Sequence, residues 1–230
     1  MVKYTLVLDF DGVIFDSPIA NNIIVDKINN FVEIKLKHIP QRKNIDINKD
    51  FFYVYGHTLL GLKAHYNINV ALEEFNNFIY DDDTLLQIAN INHDSTAYTE
   101  GSIGINIITR VEQVKKLVEK YNYDVYIFSN ASYKWIDFNL HLLKLDKYFT
   151  TDKIITSDHY LMDNKLIVKP QKKSYDIVEQ VINNKNIIFV EDNIVNLINA
   201  PTYWKKYLIS NNNNINDNPN IECINNLLHI

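Results

Sequence analysis

Three short apolar runs, each stopping abruptly at polar residues, organise this chain. Tyr4–Phe10 carries Leu6, Val7 and Leu8 straight into Asp9. Val125–Phe128 ends at Ser129-Asn130, and Asn186–Val190 ends at Glu191-Asp192. Unbroken apolar runs of this length are typical of strands buried on both faces of a sheet. Tyr207–Ile209 reads as a fourth strand. Between the runs the period changes. Ile107, Ile108, Val111, Val114, Leu117, Val118 and Tyr121 recur at helical spacing, as do Trp135, Ile136, Leu140 and Leu143, and then Tyr175, Val178 and Val181. The alternation of strand and helix predicts an α/β fold with a Rossmann-like three-layer α/β/α core and a mainly parallel sheet.

From about Pro18 to Tyr98, helical patterns follow one another with no strong strand among them: Ile19–Leu36, Phe51–His65, Val70–Tyr80 and Thr84–Ala89. Asp81-Asp82-Asp83 ahead of Thr84 is helix N-capping chemistry, because short carboxylates accept from the free N–H groups of a first turn and favour its dipole. This stretch reads as a helical cap inserted after the first strand. The expected division is core at 1–16, cap at 17–98 and core again at 99–230.

Length and charge narrow the function. A chain of 230 residues has room for a core domain and a smaller inserted one. The net charge is −5, and arginine occurs only at Arg42 and Arg110. Binding along a nucleic-acid backbone needs clustered Lys and Arg, so no nucleic-acid polymer is expected as partner. Cys223 is the single cysteine, which excludes an internal disulfide and reads as a small, partly buried residue. No apolar run is long enough to span a bilayer. Asp9, Asp11 and Asp16 interrupt the apolar N-terminus, unlike a signal peptide, so no membrane partner and a cytoplasmic location are expected. Asn, Ile, Lys and Tyr are abundant. Their codons are AT-rich and imply an AT-rich genome such as a parasite's or a large DNA virus's, a habit that also accounts for Asn211–Asn214.

The polar strand ends carry the chemistry. In open α/β sheets, ligands bind at the carboxyl ends of the strands, so these ends gather at one rim. Asp9-Phe10-Asp11-Gly12-Val13 is the strongest signal. Two carboxylates two residues apart at the end of a buried strand face the same rim, and Gly12 lets the backbone turn sharply there. Two close buried negative charges are costly unless a cation shares them, and hard carboxylate oxygens suit Mg²⁺. Ser129 and the Asn130 N–H can hold a phosphate oxygen. Lys169, after Leu166–Val168, can neutralise a phosphoryl group. Glu191-Asp192 can complete a metal shell, with Asn196 four residues beyond Asp192. Alone, Ser129 reads as a turn residue, Lys169 as a surface charge and Glu191-Asp192 as a helix cap. Together, in chain order at a sheet rim, they read as one site.

Asp9-Phe10-Asp11-Gly12-Val13, Ser129, Lys169 and Glu191-Asp192 resemble the four ordered motifs of the haloacid-dehalogenase-like (HAD) superfamily. The helical insert after the first motif resembles its C1-type cap. Phe128-Ser129-Asn130-Ala131, Leu142 to Phe149, Val168-Lys169-Pro170 and Phe189 to Asn193 are most similar to pyrimidine 5′-nucleotidase-like phosphatases. The chain departs from them in having Glu191 where Asp or Gly is usual, and Gly12-Val13 where Asn-Thr is frequent. The resemblance implies a Mg²⁺-dependent phosphatase of small phosphorylated metabolites: Asp9 as nucleophile, Asp11 as acid and base, Ser129, Asn130, Gly12 and Lys169 around the phosphoryl group, and Asp9, Asp11 and Asp192 around the metal, with Glu191 supporting that shell. A nucleoside monophosphate is the expected substrate. Sugar phosphates, phosphoglycolate and a catalytically silent binding role are the alternatives. Phe51, Phe52, Tyr53 and Tyr55 in the cap read first as core and second as stacking partners for a base, and His57 reads first as a surface or helix-capping histidine and second as a cap contact.

Overall fold

β1 (Thr5–Leu8) is buried along its whole length and has a parallel partner on each side, as its unbroken apolar run predicts. In the computed structural model, which describes residues 4–38, 44–93, 104–159, 165–210 and 218–230, six parallel strands form one sheet. The others are β2 (Asp124–Ser129), β3 (Ile154–Thr156), β4 (Ile187–Glu191), β5 (Lys205–Ile209) and β6 (Glu222–Ile224), in the order β3-β2-β1-β4-β5-β6. The order reverses between β1 and β4, so a topological switch point lies at the carboxyl ends of β2, β1 and β4.

Side chains on β1 alternate between two cores, as a period of two requires. Leu6 and Leu8 join a cluster with Val114 and Leu117 of α6 (Gly104–Glu119) and Ile136 and Leu140 of α7 (Tyr133–Leu142). Val7 points the other way, to Tyr175 and Val178 of α8 (Lys172–Ile182) and Leu197 of α9 (Ile194–Asn199). The three layers are those expected. β3 and β6 were not anticipated, since three residues are too short to display a period. Leu166–Val168 is not a strand; Ile167 and Val168 are buried in a loop that drives Lys169 inward. Cys223, on β6, is exposed rather than partly buried.

Between β1 and α6 run α1 (Pro18–Leu36), α2 (Asn44–Tyr55), α3 (Thr58–Tyr66), α4 (Leu72–Ile79) and α5 (Asp82–His93). α1 starts where Ser17 accepts from the Ala20 N–H, with Pro18 in the first turn. α1 packs on α2, α4 and α5, and α2 on α3. Asp81 caps α5, accepting from Thr84 N at 2.8 Å. The expected boundary at residues 98 and 99 lies outside the described residues, as do Arg42 and Asn211–Asn214. Phe51–His65, expected as one helix, is broken at Gly56-His57, for a reason that lies in the site. No helix among the described residues is long and apolar enough to cross a membrane.

Candidate active site

Asp9 stands one residue past the end of β1, and its N–H donates to Val190 O at 2.9 Å, so it is fixed level with the end of β4. Its Oδ1 accepts from Phe10 N at 2.7 Å and lies 2.9 Å from Lys169 Nζ. Lys169 is 1% exposed, the reverse of a solvated charge. Its other two partners are Glu191 Oε1 at 2.9 Å and Phe128 O at 3.0 Å, so all three ammonium protons are placed. The rings of Phe128 and Phe189 lie 5.1 and 5.8 Å from Nζ and wall the cation off from water.

The carboxylates are crowded. Burial and the charge of Glu191 push Asp9 well above the ordinary carboxylate range, against the pull of Lys169. Glu191 goes the other way. Burial opposes its charge, but Lys169, Asp192 and the Asn193 N–H override burial and hold it at about 2. Both Glu191 oxygens are committed, Oε1 to Lys169 and Asn196 Nδ2, Oε2 to Asn193 N. Asp9, Glu191 and Asp192 offer oxygens that lie within 4.8 Å of one another. One lysine does not balance three carboxylates, and hard oxygen donors left with negative charge fit Mg²⁺. Asp9 and Asp192 have oxygens to spare; Glu191 is better placed to brace them.

The loop after Asp9 is tight. Gly12 has φ +78°, and a Cβ there would stand 2.2 Å from Asp192 Oδ2, so only glycine lets β1's loop meet that carboxylate. Gly12 N donates to Phe15 O, while Val13, Ile14 and Phe15 are buried and anchor the turn. Asp11 Oδ1 accepts from Trp135 Nε1 at 2.9 Å. Desolvation pushes Asp11 up to about 6, against that hydrogen bond.

At the end of β2, Ser129 Oγ accepts from Ala131 N at 3.1 Å, leaving its own proton to donate. The Asn130 side chain has a task that its position does not reveal. Its Oδ1 accepts from Lys169 N at 2.8 Å, and its Nδ2 donates to Lys169 O at 2.9 Å and Gly56 O at 3.1 Å. One amide thus clamps the Lys169 loop to the break between α2 and α3.

Among solved structures, the fold is similar to a HAD phosphatase from Thermococcus onnurineus, at 14% identity and a TM-score of 0.58, covering 98% of this chain and 95% of that one. A HAD hydrolase of family IA, variant 3, from Entamoeba histolytica is similar at 15% identity and a TM-score of 0.55, covering 99% and 95%. The chain has the HAD fold. No family model matches the sequence, and no curated protein matches it either.

Within this HAD fold, the structure brings Asp9, Asp11, Gly12, Ser129, Asn130, Lys169, Glu191 and Asp192 to one rim. Sequence reasoning missed Trp135, which it counted as an apolar helix position; the signal was that a buried indole N–H needs an acceptor. It also missed Gly56, where φ is +72° and a Cβ would lie 1.9 Å from Lys169 O. Phe51 is buried against His65, and Tyr55 OH pairs with His65 Nε2, whereas Phe52 and Tyr53 are exposed.

His57 is a helix-capping histidine, one of the two roles expected of it, and it is buried rather than at the surface. Its Nδ1 accepts from Leu59 N at 3.2 Å and starts α3, and burial pushes its pKa down from 6.5 to about 4. The folded value lies below the unfolded one, so the stability from neutral His57 is complete above about pH 6.5 and falls as pH drops toward 4, by up to roughly 3 kcal/mol. His57→Asn keeps a capping acceptor and cannot titrate. Its thermal midpoint should therefore fall less steeply than wild type's across that window. Parallel slopes would assign the acid loss to other groups.

Proposed function

We propose that this chain is a magnesium-dependent phosphatase that hydrolyses a small phosphomonoester through an aspartyl-phosphate on Asp9, with a nucleoside monophosphate as substrate. The observation that carries the reading is the setting of Asp9. It ends the central strand at the switch point, 2.9 Å from a fully buried lysine, with Asp11 two residues on and the β4 carboxylates beside it.

Lys169 and the Phe10 N–H occupy Oδ1 of Asp9, so Oδ2 is the oxygen that attacks phosphorus. As the Asp9–phosphorus bond forms, the bond to the leaving oxygen breaks and Asp11 gives that oxygen its proton. Water then attacks phosphorus, its proton returns to Asp11, and inorganic phosphate leaves with Asp9 restored. Ser129 Oγ and the Asn130 N–H donate to the phosphoryl oxygens, and Lys169 offsets their charge. Asp9, Asp192 and the Asp11 carbonyl would hold magnesium, which when bound neutralises phosphoryl charge. Residues 17–98 act as the cap that encloses the site and excludes water. Its contacts with the core support that role: Asn76 Nδ2 to Asp158 Oδ1 at 2.6 Å, Lys134 Nζ to Asp82 Oδ1 at 3.0 Å, and the Asn130–Gly56 bond.

The substrate class rests on the nucleotidase-like motifs, and a panel tests it. Phosphate release from nucleoside monophosphates, sugar phosphates and phosphoglycolate should require Mg²⁺ and stop with EDTA, fastest with a nucleoside monophosphate. Preference for a sugar phosphate or phosphoglycolate would replace the substrate but keep the chemistry. Release that survives EDTA would remove the metal.

A further inference from the structure

Trp135 lies in the first turn of α7 and is 3% exposed, yet its indole N–H is not spent on its own helix. It reaches across 124 residues of sequence to Asp11 Oδ1 at 2.9 Å. The indole is held from two sides. Phe15, at the end of the loop that carries Asp11, meets it edge-on with centroids 5.5 Å apart and planes at 85°. Tyr80, at the C-terminal end of α4, stacks on it at 5.6 Å and 26°. Tyr80 is itself fixed: it is 7% exposed and its N–H donates to Asn76 O. An indole clamped on edge and face has one direction for its N–H. A carboxyl accepting along that direction has one orientation, and Oδ2 of Asp11 makes no hydrogen bond to any other described residue.

We propose that Trp135 is a positioning residue for the phosphatase reaction: it holds Asp11 by Oδ1 so that Oδ2 faces the leaving oxygen, and the Tyr80 stack makes this hold depend on the helical insert lying against the core. The inference rests on the phosphatase reading and deepens it. Without the indole N–H the Asp11 carboxyl turns freely about its side-chain bonds, and the acid spends less of its time in line. With α4 lifted away, Tyr80 leaves the indole face and the same orientation is lost. Acid delivery would then be completed only with the insert closed.

The leaving group reads this out. A nitrophenolate departs without a proton, whereas an alkoxide needs one, so misplacing the acid slows alkyl esters selectively. The test compares wild type and Trp135→Phe, which keeps a ring between Phe15 and Tyr80 but lacks the N–H, on 4-nitrophenyl phosphate, phenyl phosphate and glycerol 2-phosphate with Mg²⁺. Expected is a loss in kcat of about 10- to 100-fold on glycerol 2-phosphate and under about threefold on 4-nitrophenyl phosphate, a share of the roughly 10²–10⁴-fold that acid catalysis supplies. KM should stay close to wild type. In an Asp11→Asn background, Trp135→Phe should cost nothing more. Equal losses across the three esters, or a full further loss in that background, would overturn the inference and leave the phosphatase intact. A wild-type protein inert toward all three would remove the phosphatase reading itself, and this role with it.

Should Trp135→Phe unfold, the indole N–H signals of the two tryptophans carry the test. Trp204 donates to Glu179 and serves as the internal control. In Asp11→Ala the Trp135 signal should move and exchange faster with solvent while the Trp204 signal stays. Two unchanged signals would overturn the hold on Asp11.

Discussion

Replacing Lys169 with methionine should destabilise the protein by about 3–5 kcal/mol and abolish turnover. The side chains are similar in length, so the change is one of charge. Lys169 stands between Asp9 and Glu191 at 2.9 Å from each, and Glu191 is 0% exposed. Removing one member of a buried ion pair leaves the other charge desolvated, which costs far more than the intact pair contributes. Here two carboxylates are left, facing each other, and the Phe128 carbonyl loses its donor as well. At roughly 2–4 °C per kcal/mol for a chain of this size, the thermal midpoint should fall by about 6–20 °C. A midpoint within about 2 °C of wild type would mean that the carboxylates do not depend on the lysine. Phosphate release at wild-type rate from a folded Lys169→Met protein would remove Lys169 from the reaction.

Asp9→Asn should reduce phosphate release by at least about 10⁴-fold while leaving the melt close to wild type. The two side chains have the same shape. An amide Oδ1 can still accept from the Phe10 N–H and from Lys169, so the local hydrogen bonds survive. What is lost is the anionic oxygen that forms the bond to phosphorus. Rapid acid quench of wild type during turnover, followed by digestion, should place a phosphoryl group on the peptide containing Asp9, absent in Asp9→Asn. Turnover by Asp9→Asn at a rate near wild type, or a phosphoryl group on another peptide, would move the nucleophile elsewhere.

The two variants ask different things of the same few ångströms. Lys169→Met tests whether the site's charge balance is part of what holds the fold, and Asp9→Asn tests reactivity with the fold kept. A protein stable as Asp9→Asn but not as Lys169→Met would show that the buried cation serves both.

Much of the architecture is legible in local pattern. Leu6, Val7 and Leu8 predict a strand covered on both faces, and β1 has both faces in a core. The stop at Asp9, Ser129 and Glu191 marks the carboxyl ends, because polar groups do not continue a doubly covered strand. Asp81 announces a helix start through a bond made within three residues. Asp9-x-Asp11-Gly12 is legible for the same reason: its spacing, its turn and its crowding of charge are all local.

What the sequence could not determine are the contacts between residues far apart along the chain. The order of motifs puts Lys169 at the rim, but its burial and its partners arise only because the tertiary fold closes Phe128, Phe189, Asp9 and Glu191 around it. Phe51–His65 has one helical pattern but forms two helices, because Gly56 must pass the Lys169 carbonyl more closely than any side chain allows. Trp135 has the spacing of a core position and donates to Asp11, because the insert and the Asp11 loop fix its ring. Periodicity records which side of an element is covered. It does not record which polar atom covers which, since that depends on distances set only when strands and helices from distant parts of the chain have packed.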